Sequence, residues 1–124
     1  MREISTDDAP PSIGPFSQGI RDGDSIHVSG QGPIDPDSGE IIDGDIADET
    51  TLTLENIEAV LNATGASLDD VVKTTVYVRD MANYDRINEV YAEQFSPPYP
   101  ARSAVEVSDL PVDIGVEIAV EASL

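Results

Sequence analysis

At 124 residues the chain has room for one domain around one hydrophobic core. It contains no cysteine, which excludes a disulfide framework, a zinc finger and a thiol nucleophile, and no tryptophan, which leaves few stacking platforms for single-stranded nucleic acid. Twenty-five acidic residues against six basic ones give a net charge of −19, a surface that repels nucleic-acid phosphates and anionic membranes.

Residues 1–5 have the length of a short edge strand, and the Pro- and Gly-rich stretch Asp7 to Gly19 suggests an ordered loop. Asp22-Gly23 is a turn signal between Ile20 and the alternating run Ser25 to Gly30, which together predict a hairpin with Ile26 and Val28 on one face. Residues 33–45 hold turn formers and predict a loop. A first helix is expected over 46–64, capped by Asp45, with Leu54, Ile57, Val60 and Leu61 on one stripe and Gly65 as its left-handed stop. The β-branched run 71–79 predicts a central strand. A second helix over 84–95 has Asn83 as its expected cap and Tyr84, Ile87, Val90, Tyr91 and Phe95 as its buried stripe, and the prolines at 97, 98 and 100 stop it. Two alternating strands follow, at 103–107 and 116–122.

Strands, helix, strand, helix, strands predict a single α+β domain over residues 1–124, a two-layer sandwich with two helices on one face of a mixed sheet. The other face, with Thr75, Tyr77, Glu117 and Ala119, has no cover within the chain, which argues for an oligomer. The N-terminus lacks an apolar signal region and no run is long enough to span a membrane, so a cytoplasmic protein that binds neither membrane nor nucleic acid is expected. The acidic residues are dispersed from Glu3 to Glu121 and Lys73 is the only lysine, a pattern of salt-accumulating halophiles as well as of some ordinary acidic proteins.

Few residues are placed for chemistry. His27 is the only histidine and lies mid-strand, where a half-buried structural role outweighs that of a ligand or base. The run Asp35 to Glu40 lacks the full spacing of a calcium loop, and no metal site is expected. Arg102, behind prolines and directly before a strand, suits a bidentate carboxylate grip, with a structural ion pair as the alternative. Glu117 lies between Val116 and Ile118 in a strand of central character. Its carboxylate is either partly desolvated and suited to acid–base work, or on a solvated sheet face.

The segments APPSIGPFSQGI (9–20), HVSGQGPIDPDSGEII (27–42), LENIEAVLNATGAS (54–67), DVVKTTVYVRDMANYDRINEVYAEQF (70–95), PARSAVEVSDLP (100–111) and VEIAVEA (116–122) resemble, in order, those of the RidA family, also called YjgF/YER057c/UK114 or L-PSP. The resemblance implies a chorismate-mutase-like fold and a homotrimer with sites in clefts between subunits. It also implies cofactor-free hydrolysis of reactive enamines and imines, such as 2-aminoacrylate, to 2-keto acids and ammonia. On this resemblance Arg102 grips the substrate carboxylate and Glu117 handles water and protons. Phe16, Ser29, Gly30 and Asn88 line the pocket. Two positions depart from the usual pattern: Phe16 stands where tyrosine is usual, and Ala104 where cysteine is frequent. A non-catalytic binder of keto or amino acids is the alternative. The ribonuclease activity also ascribed to the family fits poorly with the charge and the single histidine.

Overall fold

In the computed structural model, which describes residues 1–124, one mixed sheet carries two helices on a single face. The elements are β1 (Arg2–Ile4), β2 (Gly19–Asp22), β3 (Ser25–Gln31), α1 (Ile46–Asn62), β4 (Val71–Val78), α2 (Tyr84–Gln94), β5 (Ala101–Glu106) and β6 (Val116–Ser123). The strand order is β1-β2-β3-β6-β4-β5. Every pairing is antiparallel except β4 with β5, whose connection runs through α2, because parallel neighbours need a crossover. The α+β two-layer expectation therefore holds.

The apolar stripe of α1 meets the inner face of the sheet. Leu54, Ile57, Val60 and Leu61 are fully buried against a cluster that includes Ile26, Val76, Val116 and Ile118. Asp45 caps α1 and Asp48 reciprocates, a capping box that satisfies two backbone donors. Gly65 has φ +84°, and the bonds Gly65 N to Asn62 O and Ala66 N to Leu61 O close the helix around it as expected. The threonines at 50, 51 and 53, poor helix formers, donate their hydroxyls to the carbonyls four residues back at 2.7, 2.9 and 2.8 Å.

Two local expectations need correction. Asn83 makes no side-chain cap to α2; a short 3₁₀ turn, Met81–Asn83, capped by Asp80 through Ala82 N, leads directly into the helix. And β5 begins at Ala101 rather than at residue 103, because Ala101 and Arg102 pair with Lys73 and Thr74 of β4. Arg102 is thus inside a strand, and alternation places its side chain with that of Thr74 on the helix side of the sheet. The opposite face stays uncovered within the chain: Thr75, Tyr77, Glu117 and Ala119 are half-buried and Val105, beside Tyr77, is exposed.

Candidate active site

A cleft of about 260 Å³ opens beside the end of β3 and the start of β6. Its walls are mostly apolar, from Ile13, Phe16, Ile34, Val112, Ile114 and the prolines at 10, 11 and 111, and Glu117 is its one ionisable group. Of the residues singled out in the sequence, the fold brings Phe16, Gly30 and Glu117 together here.

A bulge in β3 sets the geometry. Val28 pairs with Val120 and Gln31 with Ile118, so three steps on β3 match two on β6. The extra residue falls at Ser29-Gly30, and it brings Gly30 against the Glu117 side chain. A Cβ at Gly30 would lie 2.5 Å from Glu117 Oε2 and 2.7 Å from its Cδ, so only glycine leaves room for the carboxylate in this position. Burial among apolar walls pushes the Glu117 carboxyl above its ordinary value. Ser29 turns its hydroxyl away into the preceding loop, donating to Ser17 O at 2.6 Å.

Two buried amides hold the loops that form the cleft, and sequence reading singled out neither. Gln18 accepts from Thr6 N at 2.7 Å, and its Nε2 reaches the carbonyls of Thr6, Ala9 and Pro10 at 3.0, 3.2 and 2.8 Å, which fixes the proline-rich loop that carries Phe16. Asn56 of α1 donates to Gly32 O at 3.0 Å and Ile34 O at 2.9 Å, tying the segment after β3 to the helix. A signal for Asn56 was present: a polar residue at the spacing of the α1 stripe, one before Ile57, is a buried group in search of partners. In addition, Glu49 accepts from Gly115 N at 2.7 Å and holds the chain as it enters β6.

Arg102 lies elsewhere. On the helix side of β5 its guanidinium stands 4.8 Å from the Tyr91 ring centre and 5.4 Å from that of Tyr84, and Nη2 donates to the Tyr84 hydroxyl at 2.7 Å. Tyr91 is itself fixed by a 2.9 Å hydrogen bond with Thr74, and burial raises its phenol pKa against the opposing pull of that bond and of the Arg102 charge. Asn88 falls between the two tyrosines on the same helix stripe, and its buried Oδ1 has no hydrogen-bond partner. The three ion pairs of the chain are His27–Glu121, Arg79–Asp113 and Arg86–Glu89. Arg102 belongs to none of these pairs within the chain, although 25 carboxylates are present.

The remaining candidates behave as structural residues. His27 pairs with Glu121 at 3.3 Å, both half-exposed, on the open face and outside the cleft. The Asp35 carboxylate accepts from Asp37 N and Ser38 N within its own turn. No group of three or more metal-ligating side chains forms, and no helix is long and apolar enough to cross a membrane.

The chain is thus a two-layer α+β sandwich with a desolvated glutamate in an apolar cleft and, apart from it, an arginine that has no counter-ion within the chain. The family model described as Endoribonuclease L-PSP matches residues 6–124. A RutC family protein of Pyrococcus horikoshii is 55% identical over 119 residues, covering 95% of this chain and 94% of that one. The 2-iminobutanoate/2-iminopropanoate deaminase of Escherichia coli is 40% identical over 120 residues, covering 94% and 93%. Among solved structures, RidA from the Antarctic bacterium Psychrobacter superposes with TM-score 0.96 at 38% identity over the whole of both chains. Escherichia coli TdcF with bound serine superposes with TM-score 0.93 at 40% identity, covering 100% and 99%. The chain belongs to the RidA/YjgF (L-PSP) family.

Proposed function

We propose that this protein is a hydrolytic deaminase that converts 2-aminoacrylate and related 2-imino acids to 2-keto acids and ammonia. The observation that carries the reading is the Arg102 guanidinium: aimed by two tyrosines, partly buried, and without a carboxylate of its own in a strongly acidic chain. Such a group is poised for a substrate carboxylate. The 40% identity to proteins named 2-iminobutanoate/2-iminopropanoate deaminase supports the same chemistry.

Within one chain Arg102 and Glu117 point to opposite faces of the sheet, with β4 between their strands. The reading therefore requires copies of the chain to complete one another. In a homotrimer the open sheet faces cover one another, and the Arg102 half of one copy meets the Glu117 half of its neighbour. The half-buried Thr75, Tyr77 and Ala119 and the exposed Val105 are the surface that such packing removes from water.

In that shared site Arg102 holds the carboxylate and Phe16 walls the cleft. Gly30 leaves room for Glu117, whose carboxylate removes a proton from water as the oxygen bonds to the imine carbon. The C=N pair moves to nitrogen. That proton then passes to the nitrogen of the carbinolamine, the C–N bond breaks and ammonia leaves, and Glu117 takes the remaining hydroxyl proton as the carbonyl of the keto acid forms. The Asn88 oxygen, buried without a donor, suits an N–H of the substrate. No cofactor is needed, because a protonated imine is already electrophilic. A compound that water destroys quickly must be met where it is released, and this supports a cytoplasmic protein acting beside the source of its substrate.

A second reading, a non-catalytic binder of keto or amino acids, is favoured by one observation: Phe16 presents no hydroxyl to the cleft. Its structural relative TdcF carries bound serine. The deciding experiment generates 2-aminoacrylate with a serine dehydratase in molar salt and follows the imine spectroscopically. Decay accelerated in proportion to added protein is expected. Decay at the rate of water alone, with a 2-keto acid still binding, would establish the binder.

A further inference from the structure

The residue that aims Arg102 also carries a proton with nowhere to go. A guanidinium only donates, so in the 2.7 Å bond from Arg102 Nη2 to Tyr84 the phenolic oxygen is the acceptor. The hydroxyl's own hydrogen is therefore left to donate elsewhere, and Tyr84 makes no other side-chain hydrogen bond. Tyr91, the other ring under the guanidinium, is different: its hydroxyl is already engaged with Thr74. In the Tyr91–Thr74 pair either hydroxyl can be the donor, whereas at Tyr84 the guanidinium forces the phenolic oxygen to accept and leaves its O–H free beside the cation.

Three features make that donor useful. It is half-buried, so water competes with it only in part. Accepting from a cation polarises the phenol and strengthens its O–H as a donor. And it lies 2.7 Å from a guanidinium nitrogen, so a carboxylate seated on Arg102 brings an oxygen within its reach.

We infer that Tyr84 is a second carboxylate-binding residue, donating its hydroxyl proton to the same carboxylate that Arg102 holds. The ligand class is a small 2-keto or 2-imino acid, and the inference rests on the reading of Arg102 given above. The result is a mixed clamp, one charged donor and one neutral donor, in which the neutral one also fixes the fork.

The variant that isolates the hydroxyl is Tyr84→Phe, which keeps the ring under the guanidinium. The probe is 2-oxobutanoate, titrated calorimetrically into the intact protein in molar salt, with Arg102→Ala measured alongside. For Tyr84→Phe the dissociation constant is expected to rise at least threefold. In the hydrolysis assay KM for 2-iminobutanoate rises by a similar factor while kcat changes less than twofold, a split that general loosening of the fold would not produce. If Arg102→Ala weakens 2-oxobutanoate severely but Tyr84→Phe does so less than threefold, the inference about Tyr84 is wrong and the Arg102 reading stands. If Arg102→Ala binds as well as the unmodified protein, or the unmodified protein does not bind, both are wrong.

Discussion

Glu117 stands among apolar walls and Arg102 between two tyrosines, and each makes a different demand on an experiment. Glu117 has its carboxyl raised by burial, so its folded-state pKa exceeds that of the unfolded chain. The folded state then binds the proton more tightly, and between the two values stability falls as pH rises. Above the folded value the buried charge is a standing cost. Glu117→Gln is therefore expected to raise the melting temperature at neutral pH, to leave it little changed below the ordinary glutamate range, and to abolish hydrolysis. For the unmodified enzyme, a base that works only when ionised places the acid limb of the pH–rate profile above the ordinary glutamate value. A limb at that ordinary value, or a less stable Glu117→Gln at pH 7, would contradict this. Arg102→Ala removes a partly desolvated carboxylate partner and is expected to cost about 2–5 kcal/mol, read as a kcat/KM loss of at least about thirtyfold with the assembly intact. Arg102→Lys keeps the charge without the fork and should recover little of it. Phe16 already supplies the apolar wall of the cleft, so Phe16→Tyr is expected to change the rate less than tenfold, about 1.4 kcal/mol in the barrier. A hundredfold gain in the spectroscopic assay would instead mark the natural protein as a weakened enzyme.

Elements carried the legible part of the sequence. Periods of 3.6 and 2 placed both helices and the central strands to within a few residues, because each has one buried face and burial dictates the pattern. The site was legible as a set of residue types but not as a place. Alternation alone could not show the bulge at Ser29-Gly30, since a bulge is an agreement between β3 and β6 rather than a property of either. Nor could it assign Arg102 to the helix side, because that depends on β5 starting two residues early against β4. Asn56 is the clearest case of one element fixing another. Its amide satisfies two carbonyls of the cleft loop from inside α1. Asn56→Leu fits the apolar stripe yet leaves Gly32 O and Ile34 O without that donor, at a cost of roughly 1–3 kcal/mol for each group kept from water. The expected outcome is a lower denaturation midpoint, with hydrogen exchange speeding first in residues 30–34. An unchanged midpoint would mean the loop finds water or other donors at no cost.

At the scale of the whole molecule, charge and the open sheet face pull against each other. The face with Thr75, Tyr77, Ala119 and Val105 favours association, whereas each copy brings a charge of −19 to it. Three copies hold three times that charge within a few nanometres, and the repulsion grows as screening falls: the Debye length is about 3 Å at 1 M salt and about 30 Å at 0.01 M. Local ion pairs offer little relief, since only three are present and all are at least partly exposed. Apolar burial at the interface is not weakened by salt, and excluded salts strengthen it. Both terms therefore act in one direction, and molar salt favours the proposed homotrimer. Light scattering in molar potassium chloride is expected to give three times the chain mass of 13.2 kDa. Dilution to tens of millimolar should lower the melting temperature or split the assembly, and imine hydrolysis should fall with it, because neither Arg102 nor Glu117 has the other within its own chain. A monomer in molar salt would remove the shared site. A trimer whose melting temperature stays flat across that range would keep the site and remove the halophilic reading.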